Sequence, residues 1–303
     1  MLCSTIRDIL VRTERKYGRE DAVRYKVKKD TIESKTYTCL KNDSESFSRV
    51  LDDLGERGEH VAVIGATSYP WLVTFFGIVD SGSVAVPLDA GLPKEELCGL
   101  MDRADVTVLV YDEIRADVAA IAKEKCPKLR HFISMQKEES DEESLSFWQM
   151  IRENEGSFSE PLDPDQLCTI MFTSGTTGKS KGVMLTHRNL AENATCLDMK
   201  IPERTVIMSV LPIHHAYCLS MDILKGISLL RVAKNIKLFK PEMILMVPLM
   251  IETLAKKLED ASLIPAAVIK AKVFGKQFHT ICSGGAYLNP SYIDLFHKYG
   301  ITI

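Results

Sequence analysis

MFTSGTTGKSKGVMLTHRNL, residues 171–190, is the stretch on which the reading of this chain turns. Just ahead of it the run LCTIMF is apolar and β-branched enough for a buried strand, and it stops abruptly in Thr, Ser and Gly. A strand that feeds such a loop is suited to binding an anion. Gly175, Gly178 and Gly182 can take positive φ and bring backbone N–H groups close to a ligand, while Thr173, Ser174, Thr176 and Thr177 add hydroxyl donors. Lys179 and Lys181 supply the countercharge. Thr186 suits the N-cap of a helix running on through Asn189 and Ala191, so the loop is expected between a strand and a helix. Composition alone also fits a solvated connector; order and spacing argue against it. A Walker loop needs Gly five residues before its Gly-Lys-Ser, and here that residue is Thr173, so a kinase-type loop is excluded.

The chain of 303 residues has room for one large or two ordinary domains, and 46% hydrophobic content can fill a core. A net charge of -3, with Lys and Arg scattered along the chain, gives no basic footprint for nucleic acid. Eight cysteines (Cys3, Cys39, Cys98, Cys126, Cys168, Cys196, Cys218 and Cys282) have no C-x-x-C spacing and sit mostly in apolar surroundings, as reduced core thiols do. The opening MLCSTIRDILVRTERKYG is broken by Arg, Asp and Glu, so it has no signal-peptide core, and no apolar run is long enough for a transmembrane segment. A soluble cytoplasmic protein is expected.

Along the chain, Thr5 with Asp8 reads as a capping box for a first helix that ends at Gly18. A second helix is expected after KTYTCL, with Phe47, Val50, Leu51 and Leu54 on one face and Gly55 as its stop. HVAVIG, SYPWLVTFFGIV, VAVPLD, KEELCGLMDRA, VTVLVYD, IRADVAAIAKE and LRHFISM then alternate as strand and helix, which implies βαβ units and a mostly parallel sheet. The charged run at 137–144 reads as a solvated loop. The pattern restarts with LCTIMF, TVIMSVLP, MILMVP and FHTICSGG as strands. The predicted fold class is therefore α/β, with two mostly parallel sheets flanked by helices. Glu155 and Gly156 mark the boundary, giving one subdomain over 1–160 and a second over 161–303 that carries the loop. Ligands in such folds bind beyond the carboxyl ends of strands.

Taken whole, TSGTTGKSKGV resembles the phosphate-loop signature of the adenylate-forming superfamily, which includes acyl-CoA synthetases, luciferases and peptide-synthetase adenylation domains. The Pro usual before the second Lys is Ser180 here. The resemblance implies that Thr173, Ser174, Gly175, Thr176, Thr177, Gly178, Lys179 and Lys181 hold the phosphates of ATP, with Mg²⁺ bridging near Thr176. LPIHHAYCL, residues 211–219, is similar to the family's Leu-Pro-x-x-His segment, which makes His215, with Tyr217 nearby, the wall between acyl tunnel and ATP site. His215 and Lys181 are thereby the implied catalytic residues. No Asp stands in that segment to meet a substrate amino group, which points to a simple carboxylic acid. CSGGAYL is similar to the Gly/Ala-rich turn of the family, so Ser283, Gly284, Gly285 and Ala286 are implied adenine and acyl contacts. KTYTCL and IVDSGSVAVPLD resemble the early structural motifs, read as packing.

The activity implied is ATP-dependent conversion of a carboxylic acid, most like a medium- or long-chain fatty acid, to an acyl-adenylate and then to a thioester of coenzyme A. An aryl-acid ligase, a loader of carrier proteins, or an ATP-binding fragment without turnover are the alternatives, and a homodimer is one assembly open to it. YGITI, residues 299–303, mimics the family's later Tyr-Gly-x-Thr-Glu motif, but its spacing from Gly285 suits the preceding strand instead. The small C-terminal lid domain is accordingly expected to be absent from this chain. Between Gly226 and Asn235 there is no turn signal where the family fits a strand and a turn, so residues are either missing there or truly deleted.

Overall fold

A computed structural model of the chain describes residues 3–28, 31–173, 180–196, 201–214, 228–229, 236–260 and 265–303. Its elements, in chain order, are α1 (Ile6–Tyr17), β1 (Asp21–Lys28), β2 (Thr31–Thr36), α2 (Tyr37–Asp53), β3 (His60–Ile64), α3 (Tyr69–Ser81), β4 (Val84–Leu88), α4 (Lys94–Arg103) and β5 (Val106–Tyr111). There follow α5 (Ala116–Lys125), β6 (His131–Ser134), β7 (Leu145–Ser146), α6 (Phe147–Glu153), β8 (Leu167–Thr173), β9 (Lys181–Thr186) and α7 (His187–Cys196). The remainder is β10 (Ile207–Ser209), β11 (Ser228–Leu229), α8 (Ile236–Phe239), β12 (Met243–Met246), α9 (Pro248–Asp260), α10 (Ala266–Val273), β13 (Thr280–Ser283) and α11 (Pro290–Lys298).

Two compact units result: residues 1–20 with 35–197, and residues 21–34 with 198–303. The first holds a seven-stranded sheet in the order β7-β6-β5-β3-β4-β8-β9. Every pairing in it is parallel except β8 with β9. The central strands β4 and β5 are buried along their whole length, which is why they read as continuous apolar runs and not as alternating ones. Helix α3 is buried on nearly all sides, and Gly77 in it admits α2 so closely that an added Cβ would lie 2.7 Å from the Phe47 Cβ. A network around Asp80 ties α1, α2 and α3 together. The Arg7 guanidinium donates to the Asp80 carboxylate and to the carbonyls of Asp80 and Glu160, and the Ser48 hydroxyl donates to Asp80 Oδ2 at 2.8 Å.

The second unit holds a four-stranded parallel sheet, β11-β10-β12-β13, and the β1-β2 pair. Its core gathers Met208, Ile244, Met246, Ile251, Phe274, Phe278, Phe296 and Ile301. Thr302 bridges Thr280 in parallel beside β13, so the terminal YGITI behaves as an additional edge of this sheet. Six cysteines, Cys3, Cys39, Cys98, Cys126, Cys168 and Cys282, are free thiols. No helix among the described residues is long and apolar enough to cross a membrane.

Several expectations change. The division at 160/161 is displaced: β8, β9 and α7 belong to the first unit because β8 pairs with β4, so the break falls after Leu197. The segment 21–34, which carries no strong motif, forms two strands counted with the second unit. Helix α2 starts inside KTYTCL, where the Thr36 hydroxyl accepts from the Cys39 N–H at 3.1 Å. Thr5 and Asp8 do form the reciprocal capping box.

Candidate functional site

The candidate phosphate-binding sequence lies between two paired strands of the first unit, β8 and β9. β8 runs parallel to β4, so its last residue, Thr173, stands at the carboxyl end of the parallel strands. β9 returns antiparallel, and its first residue, Lys181, is the register partner of Thr173. The two residues face each other across the hairpin, and both are exposed. Two of the implied phosphate contacts are thereby brought face to face. Ser174, Gly175, Thr176, Thr177, Gly178 and Lys179 lie outside the described residues.

The strand β9 is itself a correction, since a helix alone was expected after the loop. KGVMLT is an edge strand with its first four residues exposed, so neither face imposes the apolar alternation by which strands are read. Gly182 sits within this strand and takes no positive φ. Its lack of a side chain serves packing, because a Cβ there would lie 3.0 Å from Ile170 Cγ2 and 3.4 Å from the Phe172 ring. The helix then starts as predicted. The Thr186 hydroxyl accepts from the Asn189 N–H at 3.2 Å, and the Asn189 side chain accepts from the Thr186 N–H at 3.1 Å. His187, the first residue of α7, is fully buried with both ring nitrogens unpartnered, and burial holds its pKa down to about 4.

In the second unit, Ser283 ends β13 at the carboxyl edge of the parallel sheet. Its hydroxyl is buried and meets no hydrogen-bond partner, which leaves a donor and acceptor for something else. Gly285 holds φ +87, a conformation that glycine alone adopts without strain, and an added Cβ would meet only Val247 Cγ1 at 3.9 Å. Gly285, Ala286 and Tyr287 are exposed. Leu211 and Ile213, which lead into the predicted histidine segment after β10, are buried, while His215 and Tyr217 lie outside the described residues. Among the described residues no cluster of three His, Cys, Asp or Glu side chains converges to hold a metal ion.

These features, the paired ends of β8 and β9 on either side of a Gly/Thr-rich stretch of sequence and a bare Gly-Gly turn after β13, lie in a chain whose residues 10–303 match the family described as AMP-binding enzyme. The chain belongs to the AMP-binding enzyme family. Its relatives include the long-chain-fatty-acid–[acyl-carrier-protein] ligase AEE15 of Arabidopsis thaliana, chloroplastic, 29% identical over 252 residues that cover 72% of this chain and 34% of that protein. A crotonobetaine/carnitine–CoA ligase of Salmonella agona is 25% identical over 216 residues, covering 67% of this chain and 40% of the ligase. The chain therefore matches well under half the length of these relatives. Among solved structures, the inhibitor-bound N-terminal domain of FACL13 from Mycobacterium tuberculosis superposes with a TM-score of 0.83 at 21% identity, covering 99% of this chain and 74% of that one. That likeness carries the fold: an AMP-binding enzyme's N-terminal α/β domain.

Sequence reading missed the residues that flank the loop from outside it. Arg103 and Glu96 of α4 contact Ser180, and the Arg103 guanidinium also lies over the Phe172 ring. They lie more than 65 residues earlier in the chain, so no local spacing pointed to them; the adjacency follows only once β8 is placed beside β4.

Proposed function

We propose that this chain is the nucleotide-binding portion of a ligase that activates a carboxylic acid with ATP. A carboxylate oxygen attacks the α-phosphorus, the bond to the bridging oxygen breaks, and pyrophosphate leaves with the electron pair, giving an acyl-adenylate. A thiol then takes the acyl group and releases AMP. The observation that carries this reading is the Thr173–Lys181 pair at the carboxyl end of β8, flanking the Gly/Thr/Ser sequence, in a chain of the AMP-binding enzyme family.

In this reading Thr173, Ser174, Gly175, Thr176, Thr177, Gly178, Lys179 and Lys181 hold the β- and γ-phosphates. Preorganised N–H, hydroxyl and ammonium donors there stabilise charge that grows on pyrophosphate in the transition state. Thr176 would help hold a Mg²⁺ ion, which would supply charge stabilisation to the phosphates when bound. Ser283, with its unpartnered hydroxyl, and Gly284, Gly285 and Ala286 receive the adenine and the acyl end, and His215 and Tyr217 stand between acid and ATP. A medium- or long-chain fatty acid is the substrate class and coenzyme A the thiol. The name of the Arabidopsis relative, a long-chain-fatty-acid–[acyl-carrier-protein] ligase, supports a second reading in which the thiol belongs to a carrier protein.

The test is thioester formation from ATP and octanoate, palmitate, benzoate or carnitine, offered with coenzyme A or with holo acyl carrier protein and read by mass spectrometry. Palmitoyl- or octanoyl-CoA with stoichiometric AMP is the expected product. Thioester on the carrier protein alone would select the second reading, and AMP without any acyl product would refute both.

A further inference from the structure

We propose that Arg103, in the last turn of α4, is a positioning residue that ties the two stems of the phosphate loop together. Its guanidinium lies 5.6 Å from the centroid of the Phe172 ring, and its Nη2 donates to the Ser180 carbonyl at 2.8 Å. Phe172 immediately precedes Thr173, and Ser180 immediately precedes Lys181. One side chain from a distant helix thus grips the residue before each member of the Thr173–Lys181 pair.

The chemistry fits arginine in particular. A planar guanidinium can offer its face to an aromatic ring while donating in its own plane, which an ammonium cannot do. Phe172 is in turn packed against the core built by β3, β4, β5, α4 and α5, so the ring is a fixed anvil. The bond also directs the Ser180 carbonyl at α4. A carbonyl oxygen aimed at a polyphosphate would repel it, so holding this one elsewhere favours the anion. Ser180 has a second tie, its hydroxyl donating to Glu96 Oε1 at 3.4 Å. A Pro at this position, as in the motif that the sequence resembles, would have no hydroxyl to give.

The inference rests on the loop being the ATP phosphate loop proposed above. Arg103 is exposed, so its removal leaves the core intact and the two Arg103 variants fold. The experiment is ATP binding by calorimetry to the wild type, Arg103→Ala, Arg103→Lys and Phe172→Leu, with the Tm of each. Losing a charge-assisted bond and its stacking should weaken ATP about tenfold in Arg103→Ala. Arg103→Lys should recover less than half of that loss in free energy, Phe172→Leu should weaken ATP in the same direction, and the Tm of the two Arg103 variants should stay within about 3 °C, as for other surface substitutions. In an exchange assay the change should appear in KM for ATP and leave KM for the acid unmoved. Unchanged ATP affinity in Arg103→Ala, or full rescue by Lys, would overturn the proposal. Failure of every acid to support turnover would count against acyl activation instead, while the calorimetric comparison would still decide the role of Arg103.

Discussion

His187 makes the stability of the first unit depend on pH in a way that can be worked out in advance. Its imidazole is wholly buried at the start of α7, with neither ring nitrogen hydrogen-bonded. Burial, reinforced by the Arg7 charge and opposed by Asp8 and Asp163, lowers its pKa from 6.5 to about 4. The folded chain therefore carries neutral His187 at pH 5, while the unfolded chain binds a proton there below 6.5. Stability from this residue is complete above pH 6.5 and is lost as pH falls toward 4, because the unfolded state binds the extra proton. The full difference is about 3 kcal/mol, of which about 2 kcal/mol is lost by pH 5. Urea unfolding of the wild type and of His187→Leu at pH 7, 6 and 5 reads it. Carboxylates titrate in both proteins, so the informative quantity is the difference between the two slopes. The wild type should lose about 2 kcal/mol more than the variant between pH 7 and pH 5. At pH 7 the two should differ little, since an apolar residue of similar volume replaces unpaired polar atoms. Equal slopes would mean that His187 takes up its proton within the fold, and the argument would be wrong.

Three further outcomes follow from contacts already described. Gly77→Ala should lower stability by about 1–3 kcal/mol by overpacking against Phe47 and the Ser44 carbonyl, although helix propensity alone favours Ala by about 1 kcal/mol; a raised Tm would contradict this. Arg7→Met should cost about 3–5 kcal/mol in urea unfolding, because it strands the buried Asp80 carboxylate with Ser48 as its remaining bond, and adding Asp80→Asn should recover part of the loss. Lys181→Ala should slow adenylation roughly ten- to a thousandfold, the scale of one lost transition-state contact, and unchanged pyrophosphate exchange would remove Lys181 from its proposed role.

What was legible in the sequence, and what was not, has a physical pattern. The buried strands of the first sheet could be read because strands covered on both faces are apolar along nearly their whole length, as VAVPL and VTVLVY are. Helix starts were legible where a side chain bonds its own backbone, as at Thr5 and Thr186. β9 was not, because an exposed edge strand carries no burial pattern. The boundary between the units was misplaced for a related reason: the partner of β8 is β4, some 80 residues earlier, and pairing at that distance leaves no mark in local composition. Of the candidate site, the loop signature and the Gly-Gly turn declared themselves by residue type. Arg103 did not, since an exposed arginine on a helix is ordinary until its neighbours are known.

The measurement that tests the central claim most directly is carboxylate-dependent exchange of labelled pyrophosphate into ATP, with acetate, octanoate, palmitate, benzoate and several amino acids offered in parallel. The account predicts exchange that requires a carboxylic acid, is strongest with octanoate or palmitate, and falls in Lys181→Ala. Binding of ATP without exchange for any acid in the panel would contradict it.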